Sequence, residues 1–265
     1  MSSSRYSELG AVLAVVTLLA VAAVPVAAVS VNGDAPGTAQ VGEQQQSRTF
    51  EVTEPFSDYE QWTLRAQTDL TEVTWQVTTF DNANNQVNKE SVTGQELNYQ
   101  LQASSGVTRV EVAVEGTVPN TSAFEWSYDP EQTLTYASFE QTQEGGSSND
   151  IGEPFEFRPY TSDSQEARTA ISDAESAISN AQDQGASVSG AESDLQDAIE
   201  FYNSGNFEQA VSNAEEAESA ANSAVDSAEQ TQLLLYGGVA VVLLLVVAGI
   251  GYWYLQQRDT YDKLG

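Results

Sequence analysis

Period-two alternation of apolar and polar residues dominates the chain between about residue 50 and residue 160. Val73, Trp75 and Val77 alternate with Thr74, Gln76 and Thr78; Leu97, Tyr99 and Leu101 alternate with Asn98 and Gln100; Val110, Val112 and Val114 alternate with Glu111 and Ala113. Successive side chains of a strand point to opposite faces, so this pattern predicts strands with one face covered and one in water. Segments at Phe50–Val52, Trp62–Ala66, Phe124–Tyr128, Leu134–Phe139 and Phe155–Phe157 bring the expected strands to about eight. The turn-forming stretches DNANNQ (81–86), SSG (104–106) and VPNTS (118–122) separate them. An antiparallel β-sandwich of immunoglobulin-like size over residues 47–160 fits this count, without the Cys pair of antibody domains.

From Thr161 the period becomes that of a helix. Ala167, Ala170, Ile171, Ala174, Ala177, Ile178 and Ala181 form one stripe. Val188, Ala191, Leu195, Ala198, Ile199 and Tyr202 form a second, and Phe207, Ala210, Val211, Ala214, Ala217, Ala221, Ala224 and Ala228 a third. Ser162 with Gln165, Ser189 with Glu192 and Asn206 with Gln209 are capping pairs, and Gly185 and Gly205 stand where the first two helices should stop. These signals predict a three-helix antiparallel bundle, an extracellular stalk over 161–230. Its stripes are mostly Ala, which allows close approach but buries little apolar area per residue. The third helix has no Gly or Pro between Asn206 and Tyr236, so it should run on into the next segment as a rod of ~73 Å. QTQEGGSSND (141–150) or Arg158–Ser162 would be the hinge below the sandwich.

Two uncharged runs flank this region. Residues 9–29, LGAVLAVVTLLAVAAVPVAAV, follow a short polar start containing Arg5, the layout of a signal peptide spanning 1–28. Val26 and Ala28 would form the small-residue cleavage site, and an uncleaved signal anchor is the competing reading. A polar linker, 29–46, comes next. The second run, Leu233–Leu255, carries no charge over 23 residues and predicts a transmembrane helix. Tyr252, Trp253 and Tyr254 form an aromatic belt at its end, and Arg258 and Lys263 follow. The positive-inside bias therefore places 256–265 in the cytoplasm as a short tail and the bulk of the chain outside. The expected class is α+β multi-domain: sandwich, helical bundle and one C-terminal span in the cell membrane.

Charge changes the picture of the outer part. Of the 39 acids, 36 lie between Val31 and Gln230, with 6 of the 9 bases, so this region carries the formal net charge of −30. Nucleic acid is excluded as a partner, because phosphate binding rests on clustered Lys and Arg. The acids are dispersed among Val, Phe, Tyr and Trp, which reads as a solvated folded surface and not as a disordered tail. Such self-repulsion is screened at molar salt, where the Debye length falls to ~3 Å, so the chain reads as halophilic. The composition resembles that of secreted and envelope proteins of halophilic archaea. The segment AIEFYNSGNFEQAVSNAEEA, within Ala170–Ala228, resembles the Ala-rich helical modules of archaeal surface proteins and bacterial envelope lipoproteins. GNFEQA is also similar to the turn and second-helix start of a tetratricopeptide repeat, but the ~34-residue recurrence is missing. The resemblance implies a membrane-anchored cell-surface protein and transfers no catalytic residue.

The chain has no Cys and no His. Disulfides, zinc sites, thiol nucleophiles, Ser-His-Asp triads and haem ligation by His or Cys are excluded. Paired carboxylates are plentiful, yet a glycosidase pair needs a fixed separation in a shaped pocket. In DNANNQ, Ala83 stands where a calcium loop wants an oxygen ligand and no closing Glu follows, so a turn is the expectation. Lys89 reads as an exposed lysine and not as half of a Ser-Lys dyad. Trp62, Trp75 and Trp126 read as core, with sugar stacking the alternative. Asn120-Thr121-Ser122 is an N-glycosylation sequon in an expected outer loop, which makes Asn120 the one candidate site; no catalytic residue, cofactor or metal ligand is assigned. The expected function is a non-enzymatic surface protein serving envelope structure or interaction with an envelope or membrane protein. A ligand-binding accessory or sensing subunit of a membrane complex and a surface hydrolase are the alternatives.

Overall fold

The computed structural model describes residues 28–143 and 145–258, with side chains of the last helix described for 207–228, 241–250 and Trp253. Residues 1–27, which hold nearly all of the expected signal peptide, and residues 259–265 of the expected tail lie outside the described residues. The fold is α+β, with eleven strands and three α-helices among the described residues. It divides into two compact units. The first holds the described residues up to Ala35, Gln46–Gly116 and Thr135–Phe155; the second holds Pro36–Gln45, Thr117–Leu134 and the described residues from Glu156 onward.

The first unit is sandwich-like. One sheet has the order β1 (Ser30–Asn32), β3 (Gln44–Thr53), β8 (Arg109–Thr117), β5 (Thr71–Phe80), β6 (Gln86–Thr93). In the other, β4 (Gln61–Gln67) lies between β9 (Leu134–Thr142) and β7 (Glu96–Gln102), antiparallel to both, with β10 (Ser148–Asp150) paired to β9. The alternating residues face inward as expected: Trp62, Leu64, Val73, Trp75, Val77, Leu97, Leu101, Val110, Val112 and Val114 are all buried. Phe50 of β3 joins the sheets by meeting Phe139 of β9 at 5.3 Å and Tyr136 at 6.2 Å between ring centroids. Trp62 and Trp75 satisfy their indole N–H groups on the carbonyl oxygens of Pro55 (2.6 Å) and Gly94 (2.9 Å). Both rings are core, with no free face for a sugar.

Three expectations are corrected here. Residues 29–46, read as a linker, form β1, β2 (Thr38–Gln40) and the start of β3; their backbones pair although their side chains are too polar to show a pattern. The stretch 141–150, read as a hinge, is a hairpin: Gln143 N–H donates to Ser147 O at 2.9 Å, and Ser148–Asp150 pairs with Glu140–Thr142. Phe124–Tyr128, read as a strand, has no strand pairing and belongs to the second unit.

In the second unit, β2 pairs in parallel with β11 (Phe155–Tyr160), and one residue later α1 (Ser162–Asp183) begins. Thr161 and Ser164 form the capping box of α1, one position before the expected pair. α2 (Ser189–Asn203) has no side-chain cap; the expected pair of Ser189 with Glu192 does not form, Ser189 being already inside the helix, and Glu192 instead accepts from Gln182 Nε2 at 2.8 Å. α1 and α2 end as the glycines predict. Gly185 and Gly205 take φ of +75° and +76°. The amides after them, Ala186 and Asn206, donate back to Ala181 and Phe201, giving the Schellman closure. α3 (Phe207–Arg258) continues unbroken for 52 residues. The three helices share one buried cluster that is mostly alanine, with Ile171, Ile178, Val188 and Tyr202 as its larger members. Among the fully described residues, no helix is long and apolar enough to cross a membrane; of the 233–255 run, side chains are described only for 241–250 and Trp253.

Candidate functional site

Two features of the connection between β8 and β9 concentrate the chemistry of the second unit. The first is the sequon. Val118 is fixed by its N–H donating to Glu43 O (3.0 Å) and its carbonyl accepting from Gly42 N–H (3.1 Å), and Val118 and Pro119 are buried. The next four residues, Asn120 to Ala123, are all exposed. Asn120 has extended backbone (φ −72°, ψ 166°) and caps the 3-10 turn Thr121–Ala123. Its Oδ1 accepts from the Ser122 N–H at 3.2 Å and from the Ser122 hydroxyl. The amide oxygen is thus occupied within the sequon, the cap makes no use of Nδ2, and the residue is exposed.

The second feature is an aromatic and arginine node. Past Ala123 the chain turns its aromatics onto the helices: Trp126 stands edge-on to Phe207 (4.9 Å) and Tyr202 (6.3 Å), and Tyr128 edge-on to Tyr202 (5.7 Å). Tyr128 N–H donates to Asn203 Oδ1 at 2.8 Å, and its hydroxyl to Glu175 at 3.0 Å. Burial, reinforced by Glu175, pushes the Tyr128 phenol well above its usual range. Arg168 pairs with Glu131 (3.4 Å), donates to the carbonyl oxygens of Ser127 (3.4 Å) and Tyr128 (3.0 Å), and covers the Tyr128 ring. Arg158 shares the same carboxylate oxygen of Glu131 at 3.2 Å and donates to Gln165 at 3.0 Å. This geometry fixes the loop to the helices.

The remaining candidates resolve into structural roles. Asp81 caps its own turn, accepting from the amides of Ala83 and Asn85 and from the Asn85 side chain. Those bonds hold its carboxyl below the usual carboxylate range, the Asn85 side chain first among them. Lys89 is exposed on β6. The carboxylates of Glu96 and Glu140 are both held by Arg65 at 3.1 Å, and Glu51 and Glu111 are both held by Arg109. The hydrogen bond from Arg65, aided by Asn98, keeps Glu96 below the usual range, the opposite of what a general acid needs. Among the described residues no group of three or more acidic side chains is gathered to hold a metal ion.

Neither family models nor curated proteins match the chain. A crystal structure of a DUF4466 family protein from Parabacteroides merdae ATCC 43184 is similar over 50% of this chain and 46% of its own, at 9% identity and a TM-score of 0.29.

Proposed function

We propose that the chain is a non-enzymatic cell-surface protein, anchored in the membrane by the C-terminal part of α3, whose folded acidic region serves envelope structure or protein interaction. The observation that carries this reading is the change of character along one continuous helix. Between Ala210 and Ala221, α3 buries a single alanine stripe in the bundle. At 241–247 it presents Val241, Val242, Leu243, Leu244, Leu245, Val246 and Val247, each at least 52% exposed. Seven consecutive residues cover every face of a helix at 3.6 residues per turn. Such a surface belongs in a protein core or in lipid, and the charge-free run 233–255 has the length for a bilayer. Arg258 and Lys263 beyond it favour a cytoplasmic end.

The dispersed acids, with Lys89 the sole lysine before the run, support a surface that meets concentrated salt. The two arginine-bridged carboxylate pairs support a structural use of the charges in place of acid–base chemistry.

Protease added to intact cells tests the reading. Digestion of residues 30–230, with a membrane-retained fragment containing Trp253 to Gly265 that resists alkaline carbonate extraction, is the expected result. Protection of residues 30–160, or release of the fragment by carbonate, would overturn it.

A further inference from the structure

We propose that Asn120 is the acceptor of an N-linked saccharide, transferred from a lipid-phosphate-linked donor. The inference rests on the extracytoplasmic placement proposed above and adds a modification site to it. Four observations carry it. Asn120-Thr121-Ser122 satisfies the acceptor pattern, with Thr and not Pro in the middle. The four residues from Asn120 are exposed, directly after a buried and hydrogen-bonded Val118-Pro119 ledge, so the acceptor stands proud of a fixed backbone. The Ser122 hydroxyl and amide both donate to Asn120 Oδ1, which aligns the two residues that the pattern requires and leaves Nδ2 out of the cap. The reaction leaves this turn intact, because it consumes Nδ2 and the cap uses Oδ1.

In the transfer, the bond from the saccharide's anomeric carbon to the donor's phosphate oxygen breaks, and the phosphate leaves with the electron pair. A bond from Nδ2 to that carbon forms, and one Nδ2 proton passes to a base of the transferase. No oxidant or metal of this chain takes part. A saccharide here would extend from the exposed start of the connection that seats Trp126 and Tyr128 on the helices.

The test uses the full chain isolated from the membranes of its native host, with mass spectrometry of the peptide containing Asn120 and protease accessibility of intact cells measured in parallel. The expected result is a saccharide mass increment on Asn120, absent in Asn120→Asp and Ser122→Ala and kept in Ser122→Thr. Asn120→Asp retains the capping oxygen and removes only the nucleophilic nitrogen, so its fold is preserved and loss of the increment reads the chemistry. An unmodified peptide from cells whose outer region is cleaved by protease overturns this inference and leaves the anchored-surface reading standing. An unmodified peptide from a protected chain overturns both. An increment that persists in Asn120→Asp places the modification elsewhere and overturns the assignment.

Discussion

The guanidinium of Arg168 lies 4.6 Å from the ring centroid of Tyr128, and its Nη2 donates to the Tyr128 carbonyl oxygen at 3.0 Å. One side chain of α1 thereby holds both the ring and the backbone of the β8–β9 connection. Its third tie, to Glu131, is shared with Arg158, whose side chain is only 8% exposed.

Replacing Arg168 therefore removes several ties at once. Arg168→Ala should destabilise the second unit by about 2–3 kcal/mol, given the usual worth of charged hydrogen bonds and a partly buried cation–π contact. Arg168→Lys should recover less than half of that, since an ammonium cannot serve Glu131 and two carbonyls in one plane. Urea titration followed by helical circular dichroism measures both. Equal stability of Arg168→Lys and the parent would show that the fork geometry contributes nothing.

Gly205 and Gly185 make a matched pair, because both close a helix at nearly the same positive φ but only one is crowded. A Cβ on Gly205 would sit 3.2 Å from Cδ1 of Trp126, whereas one on Gly185 would meet nothing within 4 Å. Gly185→Ala should cost roughly 1–2 kcal/mol for left-handed backbone alone. Gly205→Ala should cost more and should shift Trp126 emission in the folded state, as the indole is displaced from Phe207. Identical losses and an unchanged spectrum would mean that the 124–128 segment does not pack on this helix end.

These two sites also mark what the sequence could and could not disclose. The stops at Gly185 and Gly205 were legible because only glycine takes that backbone cheaply. The inward stripes of β5, β7 and β8 were legible because one buried face imposes alternation. Phe124, Trp126 and Tyr128 also alternate, yet Trp126 and Tyr128 meet Tyr202 and Phe207 on helices while Phe124 meets Trp126, and period two says nothing about which element covers a face. β6 is illegible for the opposite reason: every residue from Gln86 to Ser91 is exposed, so no pattern is written into it. Ser122 as the partner of Asn120 follows from the sequon, but the exposure of that turn needed the fold.

Alkaline stability should depend on Tyr136. Burial, opposed by Arg48 and aided by Glu115, raises its phenol to about 12, and its hydroxyl donates to Gln46 O at 3.0 Å. For an acid whose folded pKa is raised, the neutral folded form is favoured: stability is full below the unfolded value near 10. It declines as pH rises from there toward 12, by about 2–3 kcal/mol in total. Tyr136→Phe should be weaker than the parent at pH 8 by about 1 kcal/mol, for the lost hydrogen bond. It should lose less between pH 10 and 12. Parallel declines in the two proteins would remove Tyr136 as the cause.

Salt should separate the two units. Between Thr161 and Gln230, 15 acids face the single Arg168, and the core that must resist their repulsion is mostly alanine. The sandwich-like unit buries Trp62, Trp75, Phe50, Leu64 and Leu101 and pairs acids through Arg65 and Arg109. Apolar burial at about 25 cal/mol per Å² therefore stabilises it far more per residue. Lowering sodium chloride from molar to ~0.1 M lengthens the Debye length from ~3 to ~10 Å, which couples acids on neighbouring helices. A chain trimmed to residues 28–230 retains β1, β2 and all of β3, and in it the helical circular dichroism should fall first on dilution. Trp126 belongs to the helical unit, so its emission should move with the helices. In Trp126→Phe the remaining emission, from Trp62 and Trp75, should change only at lower salt. Helical and tryptophan signals that stay native in dilute buffer would refute the halophilic reading, and a simultaneous loss of both would refute the predicted order of melting.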